Sequence, residues 1–115
     1  MQYLLLIYAD EKIVQGMSQQ KLGETMQAYM AYTAKLREDG VYLGSNRLKN
    51  VGTAASVRIR DGKSNVVNGP FAETREQLGG YFLIEAPDDK TAQDYAAKCP
   101  GAAVGTMEVR PVWQM

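Results

Sequence analysis

Two short runs in this chain are apolar at every position: Tyr3-Leu4-Leu5-Leu6-Ile7-Tyr8 and Tyr81-Phe82-Leu83-Ile84. A strand apolar on both faces needs cover on both faces, so these runs predict the central strands of one sheet. Two other runs alternate. Ala55, Val57 and Ile59 alternate with Ser56, Arg58 and Arg60, and Met107, Val109 and Trp113 alternate with Glu108 and Arg110. That period of two marks half-covered strands. Elsewhere the period lengthens to three and four. Leu22, Met26, Tyr29, Thr33 and Leu36 form one helical stripe, with Ser18 at the N-cap and Gly40 at the position of a C-terminal glycine. Tyr29 is expected in the core and Tyr32 at its rim. Ala92, Tyr95, Ala96 and Cys99 form a second stripe, capped by Asp88 and stopped by Pro100. Residues 10–17 read as a connecting loop. Residues 41–48 read as a strand with Gly44 placed for a bulge. Asp61-Gly62 is a strong hairpin turn from which residues 64–67 return.

The element order is β-α-β, a β-hairpin, then β-α-β. Strands joined by crossover helices in this order predict an α+β fold, a ferredoxin-like sandwich with an added β-hairpin. Its usual strand order puts residues 3–8 and 81–85 in the middle, flanked by residues 54–60 and 106–112. Both helices lie on one sheet face. The other face would leave an apolar patch too large for a monomer, and the simplest cover is a second copy, sheet to sheet. Such a homodimer would trap a cavity that is apolar at its centre, with Arg58, Arg60, Glu108 or Arg110 toward its edges.

Composition narrows the chemistry. The chain has 115 residues, one domain over 1–115, and a formal net charge of +0, which gives no electrostatic reason to expect nucleic acid or an anionic membrane. The run 3–9 is too short to span a bilayer, and no signal peptide is read at the start. The single cysteine, Cys99, excludes an internal disulfide and reads as a small buried hydrophobe. These features together predict a cytoplasmic protein. Histidine is absent. That excludes Ser-His-Asp and Cys-His catalysis, a histidine general base and the common zinc sites. No run has the spacing of a calcium loop, so neither a metal nor a cofactor is expected.

Between Val67 and the second apolar run lies Asn68-Gly69-Pro70-Phe71-Ala72-Glu73-Thr74-Arg75-Glu76-Gln77-Leu78-Gly79-Gly80. Asn-Gly takes positive φ cheaply and marks a turn, while Pro70 cannot continue a central ladder. Residues 72–78 read as an irregular loop or a single helical turn, stopped by Gly79-Gly80. This stretch resembles the YCII-related family, in the branch named for its DGPF motif. The opening residues 3–10, the hairpin 57–62, Cys99-Pro100 and Val109-Arg110-Pro111-Val112 match as well. The resemblance implies a ferredoxin-like fold dimerised as an α+β barrel. Some relatives are fused to sigma-factor-like regulators. One branch has dehydrochlorinase activity, and a His–Asp pair carries the enzymatic reading of another. Two departures matter. Position 68 is Asn where the motif usually has Asp, and a chain without histidine has no His–Asp pair.

The motif then has two readings. In one, Asn68, Glu73, Thr74 and Arg75, with Arg58 nearby, ring the mouth of the dimer cavity and bind a small polar or aromatic molecule. Glu73 is the candidate general base there, if burial raises its pKa. In the other, Asn68 makes a tight turn, Pro70 and Phe71 plug the core, Thr74 caps a helical turn, and Glu73 and Arg75 pair with neighbours. Three function classes follow: a ligand-binding dimer, a cofactor-independent isomerase, lyase or dehydrochlorinase using a carboxylate, and an interaction module.

Overall fold

A computed structural model describes residues 1–114. Its main sheet has four strands: β1 (Gln2–Ala9), β2 (Tyr42–Arg47), β5 (Gln77–Glu85) and β6 (Thr106–Pro111), in the order β2-β5-β1-β6. Every neighbouring pair is antiparallel. β1 and β2 run parallel but are not adjacent, because β5 lies between them. The two runs apolar at every position are thus the two central strands, and the architecture is the ferredoxin-like α+β sandwich. Among the described residues the sheet is open in a single chain, with no closed barrel.

One face carries the helices. Leu5 pairs with Phe82 on one side and with Val109 on the other, and Tyr3 pairs with Ile84. Tyr3, Leu5, Phe82 and Ile84 are buried under α2 (Gln19–Glu38) and α3 (Asp89–Lys98), which add Tyr32, Leu36, Ala92 and Ala96. Phe82 is the hub. Tyr32 meets it edge-on with ring centroids 5.1 Å apart, and Tyr29 lies nearly parallel to it at 6.5 Å. The Tyr32 hydroxyl donates to the Tyr95 carbonyl at 2.8 Å and ties the two helices together. Tyr32, expected at the rim, is therefore the more buried tyrosine, and Tyr29 is partly buried beside it. Ser18 and Asp88 cap the two helices through the amides of Lys21 and Thr91. Cys99 is buried, and burial pushes its thiol pKa up, away from nucleophilic character.

The structure changes the expected pattern in four places. α2 has 20 residues and runs about 30 Å, and only its C-terminal half lies over the core. Leu22 and Met26, placed on the buried stripe by spacing, are exposed. The loop expected over 10–17 contains a short helix, α1 (Glu11–Gln15), capped by the Asp10 carboxylate. Gly79-Gly80 does not stop a turn but sits inside β5. A Cβ on Gly80 would lie 2.8 Å from the Asn46 carbonyl oxygen, so glycine lets β2 approach. Lastly, residues 54–60 do not flank the main sheet. Among the described residues, β3 (Ala55–Arg60) pairs only with β4 (Lys63–Asn68), through a turn with Asp61 at φ 52° and Gly62 at φ 73°. The flank goes to β2, which the crossover helix α2 delivers directly to the edge of β5.

The end of α2 gives an acid-dependent prediction. Asp39 accepts from Lys35 at 3.0 Å and from the Tyr95 hydroxyl at 2.8 Å. Lys35 first, and Tyr95 next, hold its carboxyl below the usual range. A carboxyl lowered in the folded state adds stability above its unfolded pKa of about 3.9 and loses it as pH falls through the folded value. Asp39→Asn should therefore melt below wild type at pH 7, with the gap closing as pH falls below the unfolded value of about 3.9. A gap that persists in acid would show that the charge is not what matters.

Candidate functional site

The face of the main sheet away from the helices is built by one register. Side chains alternate across a strand, so Leu4, Leu6 and Tyr8 share it on β1. Leu6 stands between Tyr81 of β5 and Glu108 of β6, and Leu4 between Leu83 and Arg110. Asn46 of β2 pairs with Tyr81 on its far side. The result is an apolar patch of Leu4, Leu6 and Leu83 bordered by polar groups.

Those polar groups are joined. The Tyr8 hydroxyl donates to Glu108 Oε1 at 3.3 Å, and Arg110 Nε donates to Glu108 Oε2 at 3.2 Å. Asn46 Nδ2 donates to the Tyr81 hydroxyl at 2.8 Å. Glu108 is thus held between a phenol and a guanidinium. Partial burial, then the nearby Glu108 charge, raises the Tyr8 pKa, so Tyr8 stays a protonated donor at neutral pH. The sequence placed Glu108 and Arg110 at the edge of such a face. It did not single out Tyr8, Tyr81 or Asn46, whose convergence depends on strand register. The available signal was the parity shared by Leu4, Leu6 and Tyr8.

The other expected site residues fall in two places. Arg58 lines a cleft of about 180 Å³ on the hairpin with Ser56, Asn65, Val67, Pro70 and Phe71. Asn68 ends β4 beside it, where Gly69, at φ 103°, donates to the Ala54 carbonyl at 2.7 Å. Thr74 and Arg75 line a second cleft, of about 370 Å³, with Lys12, Gln15, Gln77 and the Asp10–Glu11 turn. Glu73 is exposed and lines neither cleft. The structure therefore brings Thr74 and Arg75 together and sets Asn68 and Arg58 apart from them. Phe71 plugs no core in the single chain and is 81% exposed.

Much of the motif is tied down internally. Gln77 Oε1 accepts from the Glu11 amide at 2.9 Å, while Gln77 Nε2 donates to the Thr74 carbonyl. The Glu11 carboxylate in turn accepts from the Val51 amide at 3.1 Å. The Thr106 hydroxyl donates to Glu76 Oε1 at 2.7 Å. These bonds clamp the loop to one end of the sheet, where β1 and β2 finish and β5 and β6 begin. Among the described residues, no three His, Cys, Asp or Glu side chains come together as metal ligands. No helix there is long and apolar enough to cross a membrane.

The YCII-related domain model matches residues 1–115. The chain belongs to the YCII-related family. It is also 35% identical over 114 residues to a protein of Rhizobium meliloti (strain 1021) named as uncharacterised, an alignment covering 97% of this chain and 92% of that protein. Membership agrees with the sandwich observed here. In this YCII-related chain the motif loop anchors the start of β5, while the grouped polar chemistry lies on the open sheet face.

Proposed function

We propose that this YCII-related protein is a cytoplasmic homodimer that closes two open sheet faces on each other and holds a small polar or aromatic molecule between them. The observation that carries this reading is Glu108, positioned between Tyr8 and Arg110 at the border of the half-buried Leu4, Leu6 and Leu83 on the helix-free face. An aromatic ring would lie on the leucines, and a ligand N–H or O–H would donate to Glu108. Arg110 pairs with the same carboxylate at its other oxygen. Covering the face with a second copy would remove water and strengthen each of these contacts.

The same arrangement supports a second reading, in which Glu108 acts as a general base and the Tyr8 hydroxyl donates a proton, without a cofactor. This moves the catalytic candidate from Glu73, which is exposed and lines neither cleft described above, to Glu108.

A thermal-shift screen of polar aromatic compounds tests the binding. A ligand that raises the wild-type melting temperature should lose most of its effect on Glu108→Gln and keep it on Glu73→Gln. The unliganded Glu73→Gln protein should stay within about 0.5 kcal/mol of wild type. Equal ligand shifts in all three proteins would remove the open face from the site.

A further inference from the structure

We propose that the β3–β4 hairpin is an arm whose apolar face seats on a second copy of this chain. The proposal rests on the dimer reading above and concerns a surface outside the main sheet. Val57 pairs directly with Val66, and Ile59 shares their face. These three side chains are 62%, 60% and 69% exposed. The opposite face is mostly polar, with Ser56, Arg58, Asn65, Arg60 and Lys63 around a single valine, Val67. A solvated hairpin would not carry three clustered β-branched aliphatics outward. Nor is an isolated two-stranded hairpin more than marginally stable in water. This one forms its own sheet, detached from the other four strands.

The dimensions of the molecule point the same way. Its radius of gyration is 16.1 Å, against about 13 Å for a compact domain of this length. Its accessible surface is 8295 Å², against about 6,200 Å² for a monomer of 12.7 kDa. The difference, about 2,000 Å² per chain, is what one partner of an obligate homodimer buries. The open sheet face cannot supply all of it, because Leu4, Leu6 and Leu83 are already partly covered by their neighbours. The arm carries surface that is still bare. A second copy is the occupant because a two-fold axis uses every patch twice, so two arms and two sheet faces close the excess on both chains together. With a net charge of +0, no long-range repulsion opposes the pairing of identical chains.

Sedimentation velocity and amide hydrogen exchange on the full chain test this. Wild type should sediment at twice 12.7 kDa at micromolar concentration. Ile59→Glu and Val66→Lys should each weaken the dimer by about 100-fold or more, with unchanged far-UV circular dichroism. In wild type, the amides of residues 55–68 should exchange more slowly as concentration rises through the dimer range. A wild-type dimer whose hairpin amides exchange at the same rate at every concentration would overturn the arm and leave the sheet-face dimer standing. So would folded variants that dimerise as tightly as wild type. A wild-type monomer would overturn both.

Discussion

Phe82→Ala should lower the free energy of unfolding by about 3–5 kcal/mol. Phe82 is 5% exposed at the centre of the helix-covered face. Its ring is the shared partner of Tyr29 and Tyr32, and its strand neighbour is Leu5. Truncation removes the transfer energy of the ring and two aromatic contacts, and it opens a cavity roofed by α2. The sheet and helix backbones are fixed by other pairs, so collapse into the cavity would be limited. Urea unfolding at one fixed protein concentration measures the loss, since the proposed dimerisation would couple stability to concentration. A loss below about 1 kcal/mol would mean that α2 does not rest on β5 as described.

Gly105→Ala should cost about 3 kcal/mol or leave no folded protein. Gly105 joins α4 (Gly101–Val104) to β6, and a Cβ there would run into the carbonyl oxygen of Tyr8. The obstacle is β1 backbone, held in ladders on both sides, so it cannot swing away like a side chain. Moving it would shift Tyr8 and the Glu108 contact as well. Gly23→Ala is the matched control. It lies within α2 with nothing within 4 Å of its added Cβ, and should gain roughly 0.5–1 kcal/mol from helix propensity alone. If both alanines behave alike, the close β1–β6 approach at Gly105 is wrong.

The fold was legible where one physical signal was enough. Runs apolar on both faces can sit only in the middle of a sheet, and residues 3–8 and 81–84 do. The caps at Ser18 and Asp88 need only a short polar side chain before an amphipathic stretch, and both form. Failure came where two signals competed. Residues 55–60 alternate like a flanking strand, but the Asp61-Gly62 turn pairs them locally with 63–68 before the main sheet can claim them. Gly79-Gly80 looks like a stop, yet glycine also suits a strand that a neighbour approaches closely. Leu22 and Met26 fit the helical period, but period says nothing about where a helix outruns its sheet.

The candidate site was legible only in part, for a related reason. Glu73 stood out by its position in a motif, and motif position does not orient a side chain. Glu108 and Arg110 followed from alternation on β6. Tyr8 joins them because of the antiparallel β1–β6 register, in which Leu6 faces Glu108 and Tyr8 lies one step further along the same face. A one-residue slip would have sent Tyr8 to the helix side.

The most direct test of the proposed sheet-face dimer is the mass of the particle in solution, for wild type and Leu6→Glu. Leu6 is at the centre of the open face, between Tyr81 and Glu108, on the side of β1 opposite the buried Leu5. Sedimentation equilibrium at micromolar concentration should give one species of twice 12.7 kDa for wild type and a folded species of 12.7 kDa for Leu6→Glu. A wild-type protein that stays at 12.7 kDa, or a Leu6→Glu protein that remains a dimer, would contradict it.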